Sequence, residues 1–210
     1  MKSLKLVFLP FALAVLAGCA VGNQYDYRAA GVSLPLAGSG ELGIGVIDNR
    51  SYVLSGDKEA DFIGLQRGGF NNPFDVTTAS GNSLTQDMSE ALEVALRNSG
   101  YTVTRMQIAS ADSAAVTTAL SESGLAKNIV LTVTDWKTDI YMNMTLHFDL
   151  LLEVMTGQGE TIASNQMQGK ETVSGSGIGA SQNSRTAAAA FETKIGRLFN
   201  DPEIIAALAD

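Results

Sequence analysis

The chain has 210 residues, enough for one domain with a substantial core or at most two small ones. Its formal charge of -8, from 14 basic and 22 acidic residues, argues against nucleic acid and against an anionic lipid surface as partners. A single cysteine excludes a disulfide within one subunit, and a single histidine excludes a multi-histidine metal site.

In chain order, Met1 to Ala17 reads as a bacterial export signal: Lys2 and Lys5 make a basic start, and Leu6 to Leu16 is an almost unbroken apolar run. That run is too short to cross a bilayer comfortably as a helix. The stretch Leu16-Ala17-Gly18-Cys19 that follows is similar to the lipobox of bacterial lipoproteins. The resemblance implies that Cys19 is joined through its sulfur to diacylglycerol, that residues 1–18 are removed as a signal peptide, and that the new amino group is acylated. Small residues at Ala17 and Gly18 suit a narrow peptidase site, and a thiolate is the strongest nucleophile available for the lipid donor. The implied partner at Cys19 is therefore a membrane, and more than one acyl chain makes the anchoring stable. In Gram-negative lipoproteins an Asp after the cysteine commonly retains the protein at the inner membrane; Ala20 stands there, which implies a periplasm-facing anchor in the outer membrane. Loss of residues 1–18 takes two lysines with it and lowers the formal charge from -8 to -10.

Residues 19–40 contain Gly22, Gly31, Gly38, Gly40 and Pro35 with little periodicity and predict a lipidated tether in front of a domain spanning 41–210. Gly38 to Gly43 spells G-x-G-x-x-G but precedes the first strand, where a dinucleotide loop must follow one, and is read as coincidence. Alternation over Leu42 to Asp48 predicts a mostly buried strand whose glycines permit close approach of other groups. From Asn49 to Ser80 no period is sustained; Phe62, Leu65, Phe70 and Phe74 predict a cover on one face of the core or a partner-binding loop. Asp57, Glu59 and Asp61 alternate as calcium ligands do, yet the positions for the required Gly and Glu hold Phe62 and Gly68, so an acidic turn is expected and no metal site.

Ser83 to Gln86 is a capping box, followed by a helical stripe of Leu84, Met88, Ala91, Leu92, Ala95 and Leu96, an i,i+4 pair of Glu93 with Arg97, and a left-handed stop at Gly100. A second strand follows over Tyr101 to Ile108, then a helix over Ala111 to Glu122 with Ser110 as cap and Gly124 at its end. Ile129 to Trp136 and Tyr141 to Met155 carry the clearest strand signal. In the second of these Met142, Met144, Leu146, Phe148, Leu150, Leu152 and Val154 share one face and predict a core side. A turn at Gly157 to Gly159 leads to a polar strand over Glu160 to Thr172. Gly175 to Ala180 fits G-x-G-x-x-A, but no later strand completes a nucleotide-binding unit. Helices over Ser181 to Phe199 and from Pro202 onward complete the chain. The expected fold is a single α+β domain, an antiparallel sheet with helices mainly on one face, in the order β-α-β-α-β-β-β-α-α.

The lipobox, the helix of Leu84 to Leu96 running into Gly100-Tyr101, the long strand pair and the Ala-rich helix ending in Phe191-Glu192-Thr193-Lys194-Ile195 resemble the YajG-type lipoproteins of Gram-negative envelopes. The resemblance covers about two thirds of the chain and implies a cell-envelope lipoprotein of α+β fold, with no catalytic residues or cofactor to carry over. The residues by themselves show no catalytic constellation: His147, on the polar face beside Thr145 and Asp149, is expected as a surface strand histidine. Trp136, Tyr141, His147, Phe70 and Phe74 are the candidate partner surface, with packing under the helix of 181–199 as the alternative for Trp136. The leading expectation is a non-enzymatic protein that binds or scaffolds an envelope protein partner. The second is a lipid or small-ligand carrier, or an accessory subunit of an envelope transporter, with a pocket between helices and sheet.

Overall fold

The computed structural model describes residues 23–68, 70–173 and 179–209. The lipobox residues Leu16, Ala17, Gly18 and Cys19, and residues 175–178 of the second glycine motif, lie outside them. The elements in order are β1 (Gln24–Tyr25), β2 (Glu41–Asp48), α1 (Ser51–Leu54), β3 (Phe62–Arg67), β4 (Pro73–Thr78), α2 (Leu84–Asn98), β5 (Thr102–Arg105), α3 (Ser113–Ser123), β6 (Lys127–Ile140), β7 (Met144–Thr156), β8 (Thr161–Val173), α4 (Ala180–Phe199) and α5 (Pro202–Leu208).

The fold is α+β, built on one curled sheet that is mixed rather than antiparallel. Strand β2 runs parallel to both β5 and β6, β3 is parallel to β6, and β1 to β4, while β3–β4 and β6–β7–β8 are antiparallel. The cause is the helical returns: α2 and α3 carry the chain back across the sheet, so the strands after them run in the same direction as β2. Strand β6 is the spine. Its 14 residues span about 45 Å, long enough for β2 to pair with Gly43↔Asn128 to Asp48↔Val133 and for β3 to pair farther along at Gly64↔Thr138 to Gln66↔Ile140.

Helices also occupy both faces. The main core joins α2, α4 and α5 to the inner face through Leu92, Leu96, Phe191, Ile195 and Leu208, whereas Val116 and Leu120 of α3 pack on the outer face with Ile47, Val130, Met106 and Met155. The glycines of β2 make this second layer possible: a Cβ at Gly43 would lie 2.1 Å from the Asn128 Oδ1, and one at Gly45 2.5 Å from the Ile108 Cδ1. Close packing over β2 therefore needs both positions bare.

Two stretches expected to be irregular are structured. Within the expected tether of 19–40, Tyr25, Tyr27 and Val32 are buried and β1 pairs with β4, so the chain joins the body by residue 24. The aromatic side chains outweigh the surrounding glycines once the sheet offers them a core. The segment 49–80 holds α1 and the β3–β4 hairpin; Gly64 and Pro73 weaken its strand pattern, yet a Cβ at Gly64 would lie 2.2 Å from the Thr138 Oγ1, and Pro73 opens β4, where a missing N–H is tolerated.

Local signals elsewhere hold. The Ser83 side chain accepts from the Gln86 N–H at 3.2 Å, though the Gln86 side chain turns toward Glu90 instead of reaching back to the cap. Gly100 and Gly124 have φ of 105° and 67°. The cap of α3 is Asp112, and Ser110 accepts from the Asp112 N–H.

Candidate functional site

Aromatic side chains meet in the core behind β6. Trp136 is fully buried, edge-on to Tyr27 at 5.9 Å and to Phe191 of α4 at 5.9 Å, with Tyr27 and Phe191 5.4 Å apart. It therefore has no place in a partner surface, and the alternative placement under the helix of 181–199 is the one observed. The reason is parity: Trp136 shares the inward side of β6 with Thr138 and Ile140, while Asp135, Lys137 and Asp139 alternate outward. Burial raises the pKa of Tyr25 to about 12 against a weaker lowering contact with Thr138, and raises that of Tyr27 further.

Outside this layer a polar network braces the start of the β3–β4 hairpin. Arg50 is fully buried; its guanidinium takes both carboxylate oxygens of Asp48, at 2.8 and 2.6 Å, and donates to the carbonyls of Phe62 and Ala60. Burial opposes the Arg50 charge, and Asp48 outweighs that penalty and holds its pKa above the ordinary arginine value. The Tyr52 hydroxyl donates to Asp135 at 3.1 Å, with the Lys137 ammonium over its ring. These groups saturate one another, and with no nucleophile beside a base they form a structural brace.

His147 stands on the outer face of β7 in a cross-strand row with Lys137 and Lys170. It is half-buried rather than fully open, and partial desolvation, reinforced by the two lysines and opposed by Asp135 and Asp139, lowers its pKa below the ordinary value. Beside it the outward side chains of β8, among them Gln166, Gln168 and Lys170, are exposed, and β8 pairs with β7 alone among the described residues. An open groove of about 520 Å³ runs between β8 and α4, lined by Glu171, Val173, Gln182, Arg185, Thr186 and Ala190. The buried Lys194 pairs with the lining residue Glu171 at 2.7 Å and lies over the Phe148 ring.

The remaining candidates gather at one end of the sheet. Phe70 sits at the tip of the β3–β4 hairpin and is 100 % exposed; Tyr141 and Met142, in the β6–β7 turn, are 55 % and 79 % exposed. The parallel pairing Gln66↔Ile140 brings these loops to the same level, and Arg67 clamps them by gripping Asp139 with two bonds of 2.7 Å. Phe74 is half-buried, one position from the tip, where it pairs with Gln66. Met142, expected on the core side, falls beyond the first residue of β7 and turns outward. Of the five residues singled out from sequence, Phe70 and Tyr141 are brought together at this end with Phe74 behind them, His147 lies on the adjoining face, and Trp136 is excluded.

The class of protein is thus an α+β domain on a curled mixed sheet, and among the described residues no helix is long and apolar enough to cross a membrane. No protein-family model and no curated protein matches the chain, so the YajG-type resemblance rests on sequence pattern alone. Solved structures with some likeness include the protein XCC0632 of the DUF330 family from Xanthomonas campestris, at 14% identity and a TM-score of 0.49, with 84% of this chain and 90% of that one covered. The lipoprotein GNA1162 from Neisseria meningitidis is 11% identical with a TM-score of 0.35, covering 75% and 99%. The C-terminal domain of LpoB from Salmonella enterica is 15% identical with a TM-score of 0.33, covering 70% and 98%. Likeness this distant says nothing about partner or activity.

Proposed function

We propose that this protein is an outer-membrane lipoprotein of the Gram-negative envelope, anchored through Cys19 in the periplasm-facing leaflet, that acts by binding an envelope protein and catalyses no reaction. The observation that carries this reading is the ordered series Lys2, Lys5, the apolar run Leu6 to Leu16 and Leu16-Ala17-Gly18-Cys19, with the folded body beginning within a few residues of the cysteine. Residues 1–18 are the signal peptide, and the tether shrinks to the few residues between Cys19 and β1. The partner surface best supported is the polar outer face of β6, β7 and β8, with His147 at its centre and beside it the margin of β8 that no described strand pairs, since a strand edge offers main-chain hydrogen bonds to a second protein.

Mass analysis of the native protein tests the anchor: a chain beginning at Cys19 and carrying diacylglyceryl and acyl groups is expected, and a chain beginning at Met1 with a free thiol overturns it. Photocrosslinking in intact cells from Gln166 and Lys170 tests the surface. One specific protein should be trapped, and none from either position counts against it. The groove between β8 and α4 favours a second reading, a lipid or small-ligand carrier or transporter accessory subunit. A lipid retained in native mass spectrometry beyond the anchor would support that reading, and an empty domain would oppose it.

A further inference from the structure

The short link to Cys19 and the exposed apolar end of the sheet belong to one device. Strand β1 is parallel to β4 with Gln24 opposite Thr77, so the chain enters β1 from the side of Pro73, which is the side of the hairpin tip. The Asn23 carbonyl accepts from the Thr77 N–H at 3.1 Å, and the Asn23 side chain donates to Gln66 at 2.7 Å, which fixes this entry point. Three residues separate Cys19 from Asn23, and the four Cα-to-Cα steps between them reach at most about 14 Å. That equals about four strand positions, the distance from the level of Val76 to the level of Asn72 at the tip. A lipid on Cys19 therefore holds this end of the domain against the bilayer, because the link is too short to lift it away.

That same end carries Phe70, Tyr141 and Met142, three of the six most exposed large apolar side chains among the described residues. Asn71 beside Phe70 adopts a left-handed φ of 62°, which asparagine tolerates, and turns the tip so that Phe70 projects free of the sheet. Aromatic rings with one polar end settle at the headgroup level of a membrane, as Tyr141 is suited to do, and Phe and Met enter the apolar layer beneath. The net charge of -10 after signal removal opposes an anionic leaflet and favours a zwitterionic one.

We infer that Phe70, Tyr141 and Met142 form a membrane-apposition surface that inserts into the interface of a zwitterionic phospholipid leaflet and fixes the orientation of the domain above it. The inference rests on the lipid anchor proposed for Cys19. It leaves the outer face of β8 pointing sideways along the membrane and free for a protein partner.

The test uses protein purified from membranes and reconstituted into phosphatidylcholine vesicles with brominated acyl chains, which quench tryptophan on contact. Trp136 is buried and supplies a constant background. The variants Phe70→Trp and Met142→Trp are each expected to lose about half or more of the added fluorescence, as for an aromatic side chain at the interface. Gln158→Trp, in the β7–β8 turn at the opposite end of the sheet about 40 Å away, is expected to lose none. Equal quenching at all three positions, or none at any, with an intact lipid on Cys19 by mass overturns the surface and leaves the anchor standing. An unmodified Cys19 removes the anchor and the surface with it. Replacing half the lipid with phosphatidylglycerol should weaken the quenching at Phe70→Trp; stronger quenching would overturn the zwitterionic assignment.

Discussion

Two groups of aromatic residues lie on opposite terms with solvent. Tyr27, Trp136 and Phe191 converge from three distant parts of the chain and bury one another between β6, α4 and the segment after β1. Phe70 and Tyr141 sit in two loops that the sheet holds side by side, and among the described residues both side chains stay exposed. The first group stabilises the fold, since each ring removes a large apolar area from water. The second contributes almost nothing to folding, and its retention at one end, beside the entry of the chain, is what points to an outside contact. Residue type alone does not separate the two roles; the number of elements that close over each ring does.

The comparison breaks most visibly at Trp136. Trp136→Ala should cost about 3–5 kcal/mol in denaturant unfolding, because α4 and β1 cannot both collapse into the space it leaves. Next in size is Arg50→Ala, expected to cost about 2–3 kcal/mol by the same measurement: Asp48 loses its partner and two carbonyls lose their donor. By contrast, the double variant Phe70→Ser with Tyr141→Ser should change stability by no more than about 0.5 kcal/mol while raising solubility of the delipidated protein. A large loss of stability there would mean that these rings belong to the core after all.

The smallest effect is at His147, where the sign follows from its lowered pKa. Above about pH 7 the imidazole is neutral in both states and contributes nothing. As the pH falls through the ordinary value near 6.5, the unfolded chain takes up the proton first, so the folded state loses stability. His147→Gln should therefore flatten the decline in unfolding midpoint between about pH 7 and pH 5. An unchanged slope would show that burial, with Lys137 and Lys170 beside it, does not hold the His147 pKa below its ordinary value.

Much of this arrangement was legible in the chain because it depends on neighbours along the chain. The stripe from Leu84 to Leu96 with Ser83 and Gly100 at its ends, the turn at Gly124, the Asp201-Pro202 start and the alternation from Met144 to Val154 each encode one element, and each element is there. The β3–β4 hairpin was hidden because Gly64 and Pro73 interrupt its pattern for reasons that appear only when Thr138 and a strand edge are in place. The candidate surface was half legible: Phe70 and Tyr141 stand out as apolar residues in polar loops, but nothing local joins residues 70 and 141.

By itself the sequence determined the export signal pattern, the lone thiol at Cys19, the acidic balance and the periodic helices and strands, since all of these are properties of short stretches. Only the tertiary structure decided that the sheet is mixed, that Trp136 faces inward, that residues 24–36 belong to the body, and that Phe70, Tyr141 and the entry of the chain share one end. Those outcomes depend on which strands pair across long intervals, and pairing is governed by the total apolar area that many distant residues bury together, a quantity no short window contains.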